Sequence, residues 1–340
     1  MPEKGLKDIW DFLQEKKEIL IASHRNPDGD ALGSSLAMWH YLKRKGHRVS
    51  VAVPSPYPDD FQWMEGIDEV MIFDEDEKQV TEKIKNADLF IFLDFNHISR
   101  IDKMGEEIEK QEKPVLLIDH HLDPDLSYPY YYVKPGASST ADLVFDVLTW
   151  WEGTSYIEDP VITTCLYTGI ITDTGTFAYN TSSHLFEKLT RMLRSSIDHI
   201  ALQNRINHNM TEKQLKLLGY CLYHRMEVLP ELQTGIIFLT KNDYSKFDIQ
   251  RGDTEGIVNH ILKMKNIEVA AFFTQQPTIV KISFRSVGDF NVAALAEEHF
   301  NGGGHKNAAG GSHFKGLKSA IQLFKEILPE FINKHKQTNE

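Results

Sequence analysis

The chain has 340 residues, 41% of them hydrophobic and 25% charged, with a formal net charge of −12. That length favours two domains over a single core, and the ordinary composition excludes a fibrous or disordered chain. The negative balance, with no basic run longer than Lys43-Arg44-Lys45, speaks against a grip on long duplex DNA, where phosphate neutralisation supplies most of the affinity.

Residues 18–23 read as a short buried strand, and 28–45 as a helix ended by Gly46. Further strands are predicted at 48–53, 69–73, 88–93 and 114–118, with helical stretches around 59–66, 76–86 and 100–111. Short apolar strands alternating with helices predict a parallel sheet covered on both faces. In such sheets ligands sit beyond the carboxyl ends of the strands. The aromatic stretch 128–132 reads as an apolar edge strand, and Trp150-Trp151 as core.

From 138 to 228 the pattern is helical: Ser138-Ser139-Thr140 can cap one helix and Pro160 can start another running toward Thr172. Helices at 184–194, 197–205 and 211–226 follow. Strand patterns return at 235–239, 267–274 and 278–284, then helices at 291–299 and 317–332. The expected fold class is therefore α/β with two domains: 1–195 holding the parallel sheet, 196–228 a helical linker, and 229–340 a smaller α/β domain.

No apolar run reaches membrane-spanning length, and residues 1–17 mix charged and apolar residues throughout. Only two cysteines occur, Cys165 and Cys221, with no Cys-x-x-Cys. This speaks against a zinc ribbon or disulfide scaffold and fits a cytoplasmic protein with no membrane partner.

Four segments concentrate acids and imidazoles where apolar runs stop. They are Ser23-His24-Arg25-Asn26-Pro27-Asp28-Gly29-Asp30, Leu93-Asp94-Phe95-Asn96, Ile118-Asp119-His120-His121 and Ile171-Thr172-Asp173-Thr174-Gly175. Taken singly, Asp28 and Asp30 could be a turn and a helix cap, and Asp94 or Asp173 a cap or turn residue. Taken jointly, that explanation leaves a self-repelling acid cluster. Carboxylates suit hard divalent cations, and imidazole shifts preference toward manganese, zinc or iron. Two such ions about 3.5–4 Å apart serve phosphoryl transfer.

These segments resemble the four motifs of the DHH phosphoesterase superfamily. Asn301-Gly302-Gly303-Gly304-His305-Lys306-Asn307-Ala308-Ala309-Gly310 resembles the signature of its accessory DHHA1 domain. The resemblance is nearest the nano-RNase type, oligoribonucleases that also act as phosphoadenosine-phosphate (pAp) phosphatases. It implies two manganese ions, one on His24 and Asp28, the other on Asp30, His120 and Asp173, with Asp94 bridging. It further implies that Asp119 orients an imidazole and that His121 faces the substrate. Arg100, Arg285, Gly302, Gly303, Gly304 and His305 would contact substrate, with the active site in a cleft between the two domains.

The implied activity is manganese-dependent hydrolysis of very short oligoribonucleotides, together with removal of the 3′-phosphate from pAp. Linear or cyclic dinucleotides are the alternative substrates, and a non-catalytic nucleotide sensor is the alternative of another class. Polyphosphatase and long-DNA exonuclease readings are disfavoured. Homodimer formation is left open.

Overall fold

A computed structural model describes residues 3–208, 210–250 and 252–337, with the side chains of Glu3, His305 and 334–337 outside that description. The chain divides into two compact units, Met1–Asn209 and Met210–Glu340.

The first unit carries β1 (Glu3–Lys4), α1 (Leu6–Phe12), β2 (Glu18–Ala22), α2 (Gly29–Arg44), β3 (Arg48–Val53), β4 (Val70–Ile72), α3 (Glu77–Asn86), β5 (Leu89–Leu93), α4 (Asp102–Glu109), β6 (Val115–Asp119), β7 (Tyr130–Val133), α5 (Thr140–Glu152), α6 (Pro160–Asp173), α7 (Ser183–Leu193) and α8 (His199–Asn207). The sheet order is β1-β7-β6-β5-β2-β3-β4, with β2 to β7 parallel and β1 antiparallel to β7. The chain steps outward from β2 to β3 and β4, then returns to β5 on the other side of β2. The loops after β2 and β5 therefore diverge, and this reversal of strand order is where a parallel sheet opens a ligand crevice.

The strands are continuous apolar runs because both faces are buried. Ile19, Ile21, Ile91, Leu93, Leu116 and Ile118 pack with α2, α5 and α6, while Leu20, Ala22, Phe90, Phe92 and Leu117 pack with α3 and α4. Helix α2 is buried from Gly29 to Leu42, unlike a half-exposed surface helix.

Glycines let α2 and α6 approach closely. A methyl on Gly33 would stand 2.5 Å from the Cys165 carbonyl oxygen and 2.8 Å from the Gly169 nitrogen, and one on Gly29 would meet the Thr172 side chain. That seam lays the start of α2 beside the end of α6.

The fourth acid segment ends the helix expected to start at Pro160, one residue past Thr172, with Asp159 accepting from the Val161 and Ile162 amides to cap it. Several expectations change. The Tyr-rich β7 is not an edge, since β1 pairs outside it. Trp151 is core, but Trp150 is 53% exposed. Residues 59–66 form only a short 3-10 turn at Asp59–Phe61.

The second unit holds α9 (Glu212–His224), β8 (Met226–Leu229), β9 (Thr234–Leu239), α10 (Lys241–Phe247), α11 (Ile257–Ile261), β10 (Val269–Gln275), β11 (Val280–Ser286), α12 (Val292–His299), β12 (Gly303–His305), β13 (Ala308–His313) and α13 (Leu317–Gln337). Its sheet runs β12-β13-β11-β10-β9-β8, parallel only between β9 and β10. Phe273, Phe284, Phe300 and Phe324 centre one face, while Leu217, Ile237, Ile261 and Phe272 fill the other. The stretch expected as a linker, 196–228, divides: α8 packs on α6 in the first unit, and α9 packs on β8 and β9 in the second. Among the described residues no helix is long and apolar enough to cross a membrane.

Candidate metal centre

Five elements deliver the eight acids and imidazoles of the four segments. His24 follows β2, Asp28 caps α2 and Asp30 lies in its first turn, Asp94 follows β5, Asp119 ends β6 with His120 and His121 behind it, and Asp173 closes α6. All are buried except Asp28 and Asp173.

They converge. Three sets of ligand atoms lie within 4.8 Å of one another: His24, Asp28 and Asp94; Asp30, His120 and Asp173; and Asp94, His120 and His121. Asp94 Oδ2 is 3.3 Å from His24 Nε2, while its Oδ1 is 3.6 Å from His120 Nε2 and 3.7 Å from His121 Nδ1. His120 Nε2 is also 3.6 Å from Asp173 Oδ2 and 3.9 Å from Asp30 Oδ2. Asp94 emerges from a left-handed backbone (φ 68°) pinned by its amide to the Ile118 carbonyl at 3.2 Å.

The remaining hydrogen bonds fix orientation. His120 Nδ1 is 3.2 Å from the Ala137 carbonyl oxygen, which leaves Nε2 turned into the cluster. His121 Nδ1 lies 2.7 Å from Asp119 Oδ1, and the second Asp119 oxygen is buried with no hydrogen-bond partner. Arg25 is committed elsewhere: it binds Asp74 through two nitrogens at 2.7 and 3.0 Å and also pairs with Asp102, tying the β2 loop to its neighbours.

Sequence reasoning missed the start of α5 as part of the site. The Thr140 and Ala141 amides donate to the two oxygens of Asp30 at 2.6 and 2.8 Å, and the Thr140 hydroxyl donates to Asp94 Oδ1 at 3.0 Å. A buried cation anchors that helix: Lys188 Nζ lies 2.5 Å from Asp142 Oδ1 and 2.6 Å from Asp146 Oδ1. Only the capping signal Ser138-Ser139-Thr140 was visible in the sequence. Asn96 proves to be a loop brace, donating to the Leu122 carbonyl at 2.8 Å, and Phe95 is core, packed on Phe92.

The cluster holds more negative charge than it neutralises. Burial pushes Asp30 well above the usual carboxylate range, reinforced by Asp94, Asp173 and Asp28. Burial also pushes Asp173 up to about 7, with Asp94 and Asp28 adding to the shift and His120 opposing it. Burial acts against protonated His24, yet its contact with Asp94 raises it to about 9. Carboxylates held this way call for a cation, and the mixed oxygen and imidazole donor set fits divalent metal ions.

Among the expected substrate contacts, Arg100 is exposed in the 3-10 turn Ile98–Ile101, where its carbonyl accepts the Arg25 amide at 3.0 Å. Arg285 and the three glycines belong to the second unit. Arg285 is half-buried on β11, its Nη1 donating to the Phe284 carbonyl. The side chain of His305 lies outside the described residues. Gly302 and Gly304 have a steric reason of their own: an added methyl on Gly302 would strike the Gly310 carbonyl oxygen, and one on Gly304 (φ 146°) would stand 2.5 Å from the Ala308 oxygen. Gly303 has room, its nearest neighbour being Glu297 at 3.5 Å.

A parallel sheet with acids and imidazoles gathered where its strand order reverses, joined to a mixed-sheet unit, defines a phosphoesterase of the DHH class. Residues 18–170 match the DHH family, N-terminal domain, and residues 233–334 match the DHHA1 domain. The chain belongs to this family of hydrolases acting on phosphoester bonds.

In structure it is similar to an exopolyphosphatase-related protein from Bacteroides fragilis, 35% identical over 97% of both chains with a TM-score of 0.94. In sequence it is 26% identical to the bifunctional oligoribonuclease and PAP phosphatase NrnA of Mycoplasma genitalium, over 91% of this chain and 93% of that protein. It is 25% identical to the cyclic-di-AMP phosphodiesterase PdeA of Listeria monocytogenes over 88% of this chain, but spans only 46% of that longer protein.

Proposed function

We propose that the chain hydrolyses very short oligoribonucleotides to mononucleotides and removes the 3′-phosphate of pAp, using two manganese ions in the first unit. His24 and Asp28 would hold one ion, Asp30, His120 and Asp173 the other, and Asp94 would serve both. When bound, such a pair activates water and stabilises the attacking and leaving oxygens of phosphoryl transfer.

The protein's own groups do the rest. Asp119 would accept from His121 Nδ1–H, which orients the ring and leaves Nε2 free to contact a phosphate oxygen, or, when the ring carries both protons, to give the Nε2 proton to the leaving oxygen. Arg100, Arg285, the backbone of Gly302, Gly303 and Gly304, and His305 are proposed to hold the substrate's phosphates. Arginine is suited to this by its two-pronged donor geometry. A cytoplasmic setting is part of the proposal.

The observation that carries this reading is Asp94, a buried carboxylate common to two of the three-residue sets that hold His24 and Asp28 on one side and His120 on the other. The substrate class rests on the near-full-length similarity to NrnA. Similarity to PdeA favours a second reading, hydrolysis of cyclic or linear dinucleotides at the same centre. A panel of pAp, RNA of two to ten nucleotides, cyclic dinucleotides and pyrophosphate, assayed with manganese, separates them. Fastest turnover of pyrophosphate, or no preference for short RNA, refutes the leading reading.

A further inference from the structure

The first turn of α5 touches two acids of the centre at once. Thr140 is fully buried, and its hydroxyl donates to Asp94 Oδ1 while its amide donates to Asp30 Oδ2. Asp94 follows β5 and Asp30 lies in the first turn of α2, 46 and 110 residues away in sequence. One residue on one helix end therefore sets the separation of two carboxylates.

The chemistry of the other Asp94 partners makes the hydroxyl distinctive. His24 Nε2 and His120 Nε2 face Asp94 at 3.3 and 3.6 Å, and these same nitrogens are the ligand atoms of the two sets. An imidazole nitrogen that binds a cation has no proton left to donate to a carboxylate. Loading the centre therefore removes those interactions. The neutral Thr140 hydroxyl would keep its proton, so its hydrogen bond to Asp94 would persist through loading.

We propose that Thr140 is the positioning residue for the shared carboxylate, holding Asp94 in its ligating orientation whether or not metal is present. The proposal rests on the two-metal reading of the centre but not on any particular substrate. Hydrogen-bonding partners of metal ligands typically contribute about 10–100-fold to metal affinity.

The test is calorimetric titration of the metal-free full chain with manganese alone, then kcat and KM for pAp at saturating manganese. Thr140→Val keeps the shape and the backbone donors to Asp30 but deletes the hydroxyl. Expected results are manganese affinity weakened about 10–100-fold, a lower kcat with KM little changed, and recovery of both in Thr140→Ser. Wild-type affinity in Thr140→Val overturns the proposal. So does Thr140→Ser failing alongside it, because that assigns the effect to the methyl group. Where Thr140→Val does not fold, Thr140→Ala replaces it, and the same comparison with Thr140→Ser decides. A wild-type chain that binds manganese but turns over none of the substrate panel refutes the proposed activity and leaves this inference intact. A wild-type chain that binds no manganese overturns both.

Discussion

Replacing Gly169 with alanine puts one methyl group where α6 packs against Asp30 and the start of α5. That carbon would stand 2.6 Å from the Ala141 Cβ and 2.8 Å from Asp30 Oδ1. Comfortable carbon contacts lie at about 3.5–4.0 Å, so the neighbours must yield by roughly 1 Å. Overpacking of this kind costs about 1–3 kcal/mol, and the better helix propensity of alanine returns about 1 kcal/mol. The net loss of fold stability is thus at most about 2 kcal/mol.

The site should suffer more than the fold. Asp30 is held by the Thr140 and Ala141 amides, and a displacement near 1 Å breaks that grip; misplacement of this size costs on the order of 100-fold in rate. Thermal denaturation of the metal-free protein reads the first effect, and manganese titration with turnover reads the second. Gly219→Ala is the control: this exposed glycine of α9 has open space around it, so the change should stabilise by about 0.5–1 kcal/mol and leave turnover alone. Gly169→Ala with wild-type metal affinity and rate would show that the seam between α2, α5 and α6 does not position Asp30.

Asp94→Ala should bind neither ion tightly and lose all measurable activity; two manganese ions retained at wild-type affinity would contradict the shared-ligand assignment. Without metal, the folded site holds protons that the unfolded chain releases: Asp173 keeps its proton up to about 7 and His24 up to about 9. Stability of the metal-free protein should therefore fall with rising pH, through Asp173 between about 4 and 7 and through His24 between about 6.5 and 9. A melting temperature that climbs steadily from pH 5 to 9 without metal is the opposing result, and saturating manganese should reverse the decline. Arg285→Ala should raise KM for short RNA with metal content unchanged, and lost manganese would reassign that residue. Gly302→Ala should lower the melting temperature, while Gly303→Ala should not, and equal losses would mean that the close approach to β13 is not what requires glycine at 302.

The parallel sheet was legible because fully buried strands leave continuous apolar runs, and a polar run such as His24 to Asp30 stands out where one stops. Asp173 was legible both as an acid and as lying where a helix stops, because Pro160 marks the start of that helix even though the β-branched run Ile170-Ile171-Thr172 by itself looks like a strand. Thr140 and Gly169 were illegible in principle. A threonine after two serines signals a cap, and a helical glycine signals weakness, until their partners near Asp94 and Asp30 are brought alongside from distant segments. Strands β1, β8 and β12 have two to four residues, too few to show a period, and β12 is largely glycine.

Asp30 does two jobs with the same atoms, since its two oxygens satisfy the first amides of α5 while belonging to the cluster. Inactivating the protein there would also strip the Thr140 and Ala141 amides of their acceptor at the start of a buried helix, so a dead enzyme made at Asp30 would be a damaged one. Asp28 offers the alternative. It is exposed, and its Oδ1 receives the Asp30 and Ala31 amides at 3.0 and 3.1 Å, a role that asparagine performs equally well. For capturing an uncleaved nucleotide in a crystal, Asp28→Asn would remove one carboxylate of the cluster while α2 keeps its cap.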